Sequence, residues 1–580
     1  MFIEFKNQVQ ALLKDAASSL GYAVCAEDIS FEVSEHADLS TRLAFQMMPQ
    51  ASAKSEKTTP AKVAAEIVSA ISPEDLQKAD LVEKITATGP YLNIFASDKY
   101  SEKTVANVLS QKENYGNGTN TGKILLEHTS ANPNGPLHVG HIRNSTLGDT
   151  LSRVLKKSGY NVEVQYYVND IGRQIAVVSW ACAHYDLDTA KKSDSAIADV
   201  YIKANVDLSN DESINNHIED LMKKVESGDK ATIDSFTKAV DLAVSGIQET
   251  LTLMNVKHDK FIRESMFIEN GAVWDVIDRL KKTGKTKDEN GALVVDMSDY
   301  GYEKTLVIQR SNKTSLYTTR DLAYHEWKGP QCDRMVDVFG ADHKLISGQL
   351  RAALDLLGDK IPEVVIFEFV SLPEGSMSTR RGVFITADEL LAEVIDKAYD
   401  EIEKRRPEES EEFKRSVARM VGVGAVRYDI IKVSPEKSTV FDWKTALDFE
   451  KQGSPFIQYA HARASNILSK AKEDGVIGSE ADLQSADFSR LAEPQETALI
   501  KRIARFEQTV MECAKDLKPH QFAIYARELA DDFNQFYRYV PVLNVGDADL
   551  KTARLSLVYA SKIAIANALS VLGIDAPESM

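Results

Sequence analysis

The residues with the clearest chemical potential are two histidines three positions apart. His138 and His141 stand where a predicted strand, 124–126, is followed by a loop with two prolines and then by a predicted helix, 138–155. Doubly wound sheets bind nucleotides at such a place, and a helix start offers free N–H groups to a phosphate. Gly140 leaves room for a nucleotide beside the backbone. The stretch therefore predicts stabilisation of the charge that develops when an α-phosphate is attacked.

Two histidines at this spacing need not be catalytic. They could ligate a metal together, although no third ligand stands at metal-binding spacing, or they could have no chemical role. The four cysteines (Cys25, Cys182, Cys332 and Cys513) are far apart and form no C-x-x-C pair of the kind that binds zinc. We therefore predict no metal site, and the histidine spacing alone does not decide between catalysis and no role.

The elements around the histidines predict a parallel sheet. Strand 124–126, helix 138–155 and strand 162–167 form the strand–helix–strand unit of a doubly wound α/β fold. Gly159 is expected to cap the helix. Further strands are expected at 306–309, 335–339 and 364–370. A long acidic stretch, about 181–300, is expected to be a mostly helical insertion.

Two further units flank the predicted sheet. Residues 2–20 have apolar side chains at helical spacing, and a short strand is expected at 89–95. The glycine- and asparagine-rich segment 114–122 is expected to be a linker. Most of the sequence after 387 has helical period. The expected domains are an α+β unit at 1–113, a doubly wound α/β unit at 121–395 and an all-α unit at 396–580.

The composition is that of an ordinary soluble globular protein. Of 580 residues, 43% are hydrophobic, and 69 basic against 87 acidic residues give a net charge of −18. Such acidity argues at first sight against a nucleic-acid partner, because phosphates repel an anion. No apolar run approaches the roughly 20 residues that span a bilayer, and the N-terminus lacks the features of a signal peptide. We expect a cytoplasmic protein without membrane contact.

Several stretches, in chain order, resemble one enzyme family. The run EHTSANPNGPLHVGH at 127–141 is similar to the HIGH signature of class I aminoacyl-tRNA synthetases, in the form that arginyl-tRNA synthetases carry. YYVNDIGRQ at 166–174, LYTTRDLA at 316–323 and PFIQYAHAR at 455–463 resemble further segments of the arginyl family. Segments 533–537 and 572–578 are similar as well. The resemblance extends from residue 89 to the C-terminus.

The resemblance implies a two-step reaction on a Rossmann-like catalytic domain. L-arginine and ATP, with Mg²⁺, would give arginyl-adenylate and pyrophosphate, and the arginyl group would then pass to the 3′ end of tRNA(Arg). The implied arginine-binding residues are Glu127, Asn132, Tyr317, Asp321 and Gln349. The implied ATP-binding residues are His138, Gly140, His141, Met377 and Ser378. The family is usually monomeric, and it implies no editing domain, so the insertion at 181–300 would be connective.

One family signature is incomplete. The K-M-S-K-S loop of class I enzymes corresponds to SMSTRRG at 376–382, which lacks both lysines. Some members compensate with a lysine just before the HIGH signature, where this chain has Gly135. Arg380 and Arg381 are therefore the candidates, together with His138 and His141, for catalytic contact with the phosphates.

The flanking domains would bind tRNA. By resemblance, unit 1–113 contacts the tRNA elbow through Tyr91 and Asn93, since an aromatic ring and an amide suit a splayed-out base. The C-terminal unit would read the anticodon with Tyr459, His461 and Arg463. The alternatives are a plain surface strand at the first place and ordinary helix packing at the second.

Simpler roles are conceivable for single site residues and for the whole chain. Asp321 could be a helix N-cap, Tyr317 a core residue and Glu127 part of a surface ion pair. The chain could also be a synthetase for another amino acid, although a cysteine enzyme would have a zinc-binding cysteine set and a leucine enzyme a large editing insertion. The remaining alternatives are a smaller nucleotidyltransferase and a catalytically silent paralogue that binds tRNA or a protein.

Overall fold

An antiparallel sheet and five helices form the N-terminal part. In the computed structural model, residues 1–32, 34, 36–54, 57–373 and 385–580 are described. The elements are α1 (Phe2–Ser19), β1 (Leu39–Thr41), α2 (Leu43–Lys54), α3 (Pro60–Ser69), α4 (Pro73–Lys78), β2 (Val82–Thr88), β3 (Tyr91–Ala96) and α5 (Asp98–Gln111). The strand order is β1-β3-β2. The strand expected at 89–95 is β3, and Gly89, with φ +58°, turns the β2–β3 hairpin before it.

A five-stranded parallel sheet forms the centre of the molecule. The strands that follow are β4 (Lys123–Glu127), β5 (Asn161–Val168), β6 (Lys260–Arg263), β7 (Thr286–Glu289), β8 (Ala292–Val295), β9 (Leu306–Gln309), β10 (Arg334–Gly340), β11 (Glu363–Phe367) and β12 (Val370–Ser371). The sheet order is β11-β10-β4-β5-β6, and every neighbouring pair is parallel. The sheet therefore places the carboxyl ends of β4, β5 and β6 beside one another, as expected for a doubly wound fold.

Nine helices accompany these strands in the described part of the central region. They are α6 (Val139–Lys157), α7 (Arg173–His184), α8 (Ser193–Asn210), α9 (Glu212–Glu226), α10 (Lys230–Leu253), α11 (Ser265–Glu269), α12 (Ala272–Lys282), α13 (Tyr317–Lys328) and α14 (Lys344–Leu357). The predicted helix 138–155 is α6, and Gly159 (φ +109°) follows its last turn as expected.

The structure adds two features to the strand predictions. The strand at 306–309 is β9, which pairs with β8 in a separate antiparallel sheet, β7-β8-β9. The region 181–300 is mostly helical, as expected, but it also contains three strands, of which β6 is the edge strand of the central sheet. The period-2 signal of a four-residue strand is too short to indicate its partner, because pairing is set by distant residues.

Helices dominate the C-terminal part. The elements are α15 (Ala387–Arg405), α16 (Glu411–Ile431), β13 (Thr439–Val440), α17 (Trp443–Ala446), α18 (Ser454–Glu473), α19 (Glu480–Gln484), α20 (Pro494–Ala504), α21 (Phe506–Asp516), α22 (Pro519–Tyr539) and α23 (Ala548–Val571). One hydrophobic core extends from strands β4 and β10 into these helices. Within the described ranges, no helix is long and apolar enough to cross a membrane.

The segment expected to be a linker, 114–122, is packed rather than free. Tyr115 is buried and its hydroxyl donates to the carbonyl oxygen of Ile503 (2.9 Å). A Cβ at Gly116 would lie 2.1 Å from the ring of Phe506, so the glycine is needed for this close approach. The segment therefore joins the N-terminal part firmly to the C-terminal helices.

Candidate active site

The two histidines form a compact pair at the start of α6. His138 is the N-cap residue, and its Nδ1 accepts the N–H of Gly140 (3.1 Å). The Nδ1 of His141 accepts the backbone N–H of His138 (3.2 Å). The rings stack with their centroids 3.7 Å apart. Because each Nδ1 is an acceptor, a neutral ring carries its proton on Nε2, where it is a donor.

Burial keeps both rings neutral. It lowers the pKa of His138, and burial followed by the neighbouring ring lowers the pKa of His141 to about 3. At neutral pH the pair therefore offers two Nε2–H donors rather than two positive charges. Such donors, next to the N-terminus of a 19-residue helix, suit phosphate oxygens.

Gly140 makes room for the ring of His138, whereas the sequence predicted room for a nucleotide. A Cβ at this position would lie 2.9 Å from Cε1 of His138, so the space beside the backbone is filled by the histidine ring. Thr386 forms a backbone bridge with His138, and the N–H of Ala387 donates to the carbonyl oxygen of Leu137 (2.7 Å). The start of α15 is thereby fixed to the start of α6.

Four of the predicted site residues belong to the signature loop. Met377, Ser378, Arg380 and Arg381 lie outside the described residues. The segment that contains them ends immediately before Ile385, one residue from the backbone bridge to the histidine pair.

Asn132 and Gly135 lie in the loop before α6. The exposed side-chain amide of Asn132 donates to Oε1 of Gln174, near the start of α7 (3.0 Å). A Cβ at Gly135 would lie 3.2 Å from Cβ of Ala198 on α8. The loop is therefore held between the HIGH-like helix and the helices that follow β5.

Glu127 and Asp321 belong to one acidic pocket at the carboxyl edge of the sheet. Glu127 ends β4 and is buried, so the surface ion pair considered as an alternative is wrong. Asp321 lies inside α13, whose N-cap is Leu316, so it is not a helix cap. Burial raises the pKa of Glu127; Lys328 opposes this effect, and Asp337 and Asp321 add to it. The pocket therefore concentrates negative charge.

Two residues of this pocket were not predicted from the sequence. Glu264 directly follows β6 and is buried; burial raises its pKa to about 7 against the lowering effect of Arg320. The hydroxyl of Tyr167, near the end of β5, is buried and has no hydrogen-bond partner among the described residues. Asp321 raises the pKa of Glu264 further, and burial, Glu264 and Asp321 raise the pKa of Tyr167. The sequence signal that could have identified Glu264 is a carboxylate that directly follows a strand.

Tyr317 and Gln349 lie at different depths. Tyr317 begins α13 and is half exposed, so the core-packing alternative is wrong. Gln349, on α14, is buried, and its amide donates to the carbonyl oxygen of Lys304 (2.9 Å). Tyr317 is thus available to a ligand, whereas Gln349 is bound to the loop that precedes β9.

A lysine occupies the one cluster of metal-ligand type in the described ranges. Ligand atoms of Glu127, His325 and Asp337 lie within 4.8 Å of one another. The Lys328 ammonium donates to Asp337 (2.8 Å) and contacts Glu127 (3.3 Å), so its positive charge lies where a cation would.

Comparison with known proteins gives a consistent result along the whole chain. The family models "Arginyl tRNA synthetase N terminal domain", "tRNA synthetases class I (R), catalytic domain" and "DALR anticodon binding domain" match residues 4–96, 104–443 and 457–580. The arginine–tRNA ligases of Methanosarcina barkeri and Methanothrix thermoacetophila are 60% and 50% identical over the full length of both chains. The chain belongs to the arginyl-tRNA synthetases.

The structural comparison agrees with this membership. The arginyl-tRNA synthetase of Thermus thermophilus superposes with a TM-score of 0.81 at 28% identity, covering 99% of each chain. The predicted fold class, a Rossmann-like domain with a helical insertion between an α+β and an all-α domain, is confirmed, as is the predicted class I ligase. Other synthetases, smaller nucleotidyltransferases and the cysteine or leucine enzymes are excluded as the family of this chain.

In this synthetase, the predicted elbow contacts lie on the N-terminal sheet. Tyr91, at the start of β3, is partly exposed; its ring centre is 6.1 Å from that of Phe45 and 5.9 Å from the guanidinium carbon of Arg42. The amide of Asn93 donates to Thr88 across the hairpin (3.1 Å). The exposed aromatic pair, with a cation beside it, is a surface suited to an unstacked base.

The predicted anticodon contacts on α18 separate into two groups. The Arg463 guanidinium carbon lies 4.7 Å from the ring centre of Tyr459 and 4.5 Å from that of Tyr537. These three residues line a cavity of about 470 Å³. His461 is buried, with Nδ1 2.9 Å from the carbonyl oxygen of Pro577, and packs the C-terminus instead of facing this cavity.

Proposed function

We propose that the chain ligates L-arginine to tRNA(Arg) with ATP, and that the pocket and the histidine pair described above are its active site. The observation that carries this proposal is their position at one edge of the central sheet. An acidic pocket beside β4, β5 and β6 suits a guanidinium, and two imidazole N–H donors at the start of α6 suit a phosphate.

Arginine recognition uses carboxylates around one space. We assign Asp321 and Glu264 to the guanidinium, whose planar fork matches carboxylates, and the unpartnered hydroxyl of Tyr167 as a further acceptor. Glu127 and the exposed amide of Asn132 hold the α-amino and carboxylate end. The half-exposed ring of Tyr317 covers the pocket, and Gln349 holds the adjoining loop.

In the first step a carboxylate oxygen of arginine attacks the α-phosphorus of ATP. The bond from that phosphorus to the bridging oxygen breaks, and pyrophosphate leaves with its electron pair. The Nε2–H groups of His138 and His141 donate to the phosphate oxygens that gain charge. In the second step a hydroxyl of the 3′-terminal ribose attacks the adenylate carbonyl carbon. The bond from that carbon to the phosphate oxygen breaks, AMP leaves with its electron pair, and the hydroxyl proton is released to solvent.

The signature loop completes the ATP site in this proposal. Met377 and Ser378 contact ATP, and Arg380 or Arg381 binds pyrophosphate in place of the missing lysines. The support is the backbone bridge that fixes Thr386, two residues after this segment, beside His138. Alanine at each arginine and at both, assayed by pyrophosphate exchange with tRNA present, tests the assignment; near-normal rates in the double variant would contradict it.

Mg²⁺ enters as the counter-ion of ATP. We assign it no resident protein ligands, since Lys328 supplies the positive charge in the cluster of metal-ligand type. Mg²⁺ bound to the phosphates would neutralise charge as pyrophosphate leaves.

The flanking parts bind tRNA. We propose boundaries at 1–113, 121–395 and 396–580, with Tyr91 and Asn93 at the tRNA elbow and Tyr459 and Arg463 at the anticodon. His461 supports the anticodon surface by packing beneath it. We further propose a monomeric, cytoplasmic enzyme. Local cations on an anionic chain would make tRNA binding strongly dependent on salt.

The decisive experiment is a charging assay with tRNA and ATP across the twenty amino acids. We expect acceptance of arginine alone. Charging with a different amino acid would contradict the arginine pocket, and no charging at all would favour the silent paralogue. An adenylate formed without transfer to tRNA would support the active site and contradict the assigned tRNA surfaces.

A further inference from the structure

Three ionisable residues form a buried network beneath the acidic pocket, which is the proposed arginine site and is called the arginine pocket below. His325 and Lys328 lie on α13, and Asp337 lies on β10; all three side chains are fully buried. Asp337 is the register partner of Glu127 in the neighbouring strand. The network therefore connects α13, which carries Asp321, with the strand end that carries Glu127.

Lys328 fixes Glu127. Its ammonium donates to Oδ1 of Asp337 (2.8 Å) and to Oε2 of Glu127 (3.3 Å), and it lies 4.3 Å from the ring centre of Tyr324. The other carboxylate oxygen of Glu127 accepts the hydroxyl of Ser130 (3.0 Å). With a partner on each oxygen, the Glu127 carboxylate is held in one direction.

His325 fixes Asp321 in the same way. Its Nδ1 lies 3.1 Å from Oδ1 and 2.8 Å from the backbone oxygen of Asp321, and its Nε2 lies 2.9 Å from Oδ2 of Asp337. Both ring nitrogens thus face acceptors, so both must carry a proton. The ring is an imidazolium held between two carboxylates.

The surrounding charges favour this protonation state. Burial, the largest effect, and Lys328 lower the pKa of His325, but Asp337 and Asp321 outweigh them and raise it to about 10. Tyr324 is the other titratable group against the ring, in edge contact. The pKa of Asp337 is lowered to about 2: burial raises it, and Lys328 and His325 more than compensate.

We infer that His325, Lys328 and Asp337 are positioning residues, which hold the carboxylates of Glu127 and Asp321 in fixed directions before arginine binds. This inference rests on the proposed arginine site and deepens it. Carboxylates fixed in advance bind the two ends of arginine without reorganisation, Glu127 at the α-amino end and Asp321 at the guanidinium. Asp321 held in this way also disfavours a neutral side chain of the same shape, because its carboxylate then receives fewer donors and no compensating positive charge.

Two variants test the network. His325→Gln keeps a polar group but removes the charge, and Lys328→Met combined with Asp337→Asn removes one positive and one negative charge together. We expect the KM for arginine to rise about tenfold or more in both, with the KM for ATP changed less than about twofold. Discrimination against citrulline, the urea counterpart of arginine, should fall about tenfold.

A matched control separates positioning from general loss of a buried ion pair. Arg554→Met breaks the buried contact of Arg554 with Glu496 (2.6 Å) between helices α23 and α20. It should lower Tm without changing the KM for arginine. An unchanged arginine KM in folded network variants, or an equal rise in the ATP KM, would overturn the inference.

A measurement on the unmodified protein needs no variant to fold. Nitrogen-15 chemical shifts of the His325 ring should report two protonated nitrogens from about pH 7 to pH 9. A neutral ring in that range would overturn the inference. If the wild-type chain failed to charge arginine, the proposed function would fail, whereas the ring protonation is measured without substrate and tests the network separately.

Discussion

The start of α6 and the arginine pocket lie at the same edge of the sheet but are built in opposite ways. The histidine pair comes from four consecutive residues, and its hydrogen bonds stay within one helical turn. The pocket takes carboxylates from β4, from α13 and from the segment after β6, with cations between them. Donors for a phosphate can thus be encoded locally, whereas a pocket for a cation needs residues that only the tertiary fold brings together.

Burial acts on both regions with opposite chemical results. In the histidine pair it lowers the pKa of His141 to about 3, so the ring remains a neutral donor. In the pocket, burial raises the pKa of Glu264 to about 7. A cationic ligand favours the ionised form of this carboxyl group, so ligand binding and ionisation stabilise each other. The histidine pair therefore remains uncharged, whereas the pocket contains a carboxyl group whose negative charge is unfavourable until the proposed cationic substrate binds.

The largest effect is expected from the pocket. Asp321→Asn removes a carboxylate that we assign to the substrate guanidinium and leaves His325 without one of its two carboxylate partners. We expect kcat/KM for arginine to fall about 10³-fold or more, because the guanidinium would lose a charged partner in the pocket. Steady-state charging kinetics check this. Asp299→Asn, at an exposed carboxylate paired with Lys285, is the control and should be near wild type; a loss below tenfold for Asp321→Asn would show that the pocket does not depend on this charge.

The histidine pair should affect rate more than affinity. His141→Ala removes one Nε2–H donor and should lower kcat about 10²- to 10³-fold, with the KM for arginine changed little. His141→Gln retains an amide donor at a similar distance and should recover part of the rate. Pyrophosphate exchange with tRNA present separates kcat from KM, and a rise in arginine KM without a fall in kcat would contradict the difference between the two regions.

The KM for arginine should depend on pH through a carboxyl group of the pocket and not through the histidine pair. Because burial raises the Glu264 pKa to about 7, the carboxyl is increasingly protonated in the free protein below that pH. Arginine must then expel the proton, so its KM should rise, at most about tenfold per pH unit, as pH falls below 7. KM profiles from pH 5.5 to 8 measure this. In Glu264→Gln the KM should be higher but level over this range, and a sloping profile in that variant would assign the proton to another group.

The same difference between a locally encoded site and a site assembled by the tertiary fold explains which residues could be predicted from the sequence. The histidines, the strand before them and the helix after them follow from local pattern, and the family resemblance extended the assignment to Glu127 and Asp321. Glu264 was missed because β6, four residues long, was placed within an insertion, so the carboxylate after it did not look like the end of a core strand. Period and composition cannot show which strands are neighbours.

Burial was the other property that local pattern could not supply. Tyr459, His461 and Arg463 lie within five positions on α18, yet the first and third line a cavity and the second packs against the C-terminus. The glycines and asparagines of 114–122 predicted a linker, whereas Gly116 is present because Phe506 leaves no room for a side chain. Both outcomes depend on distant helices.

The smallest effects are expected on the proposed tRNA surfaces, which lie outside both regions. Tyr459→Ala removes one of the two rings against Arg463 and should raise the KM for tRNA about 5- to 20-fold, as expected for one lost stacking contact. His461→Ala, a packing change at the same helix, should lower Tm instead. Arginine-dependent KM values should stay within about twofold in both, since neither residue contacts the pocket. If Tyr459→Ala changed the arginine KM as much as the tRNA KM, the proposed anticodon surface and the pocket would be energetically coupled. The histidine pair and the pocket could then no longer be treated as independent of the C-terminal helices.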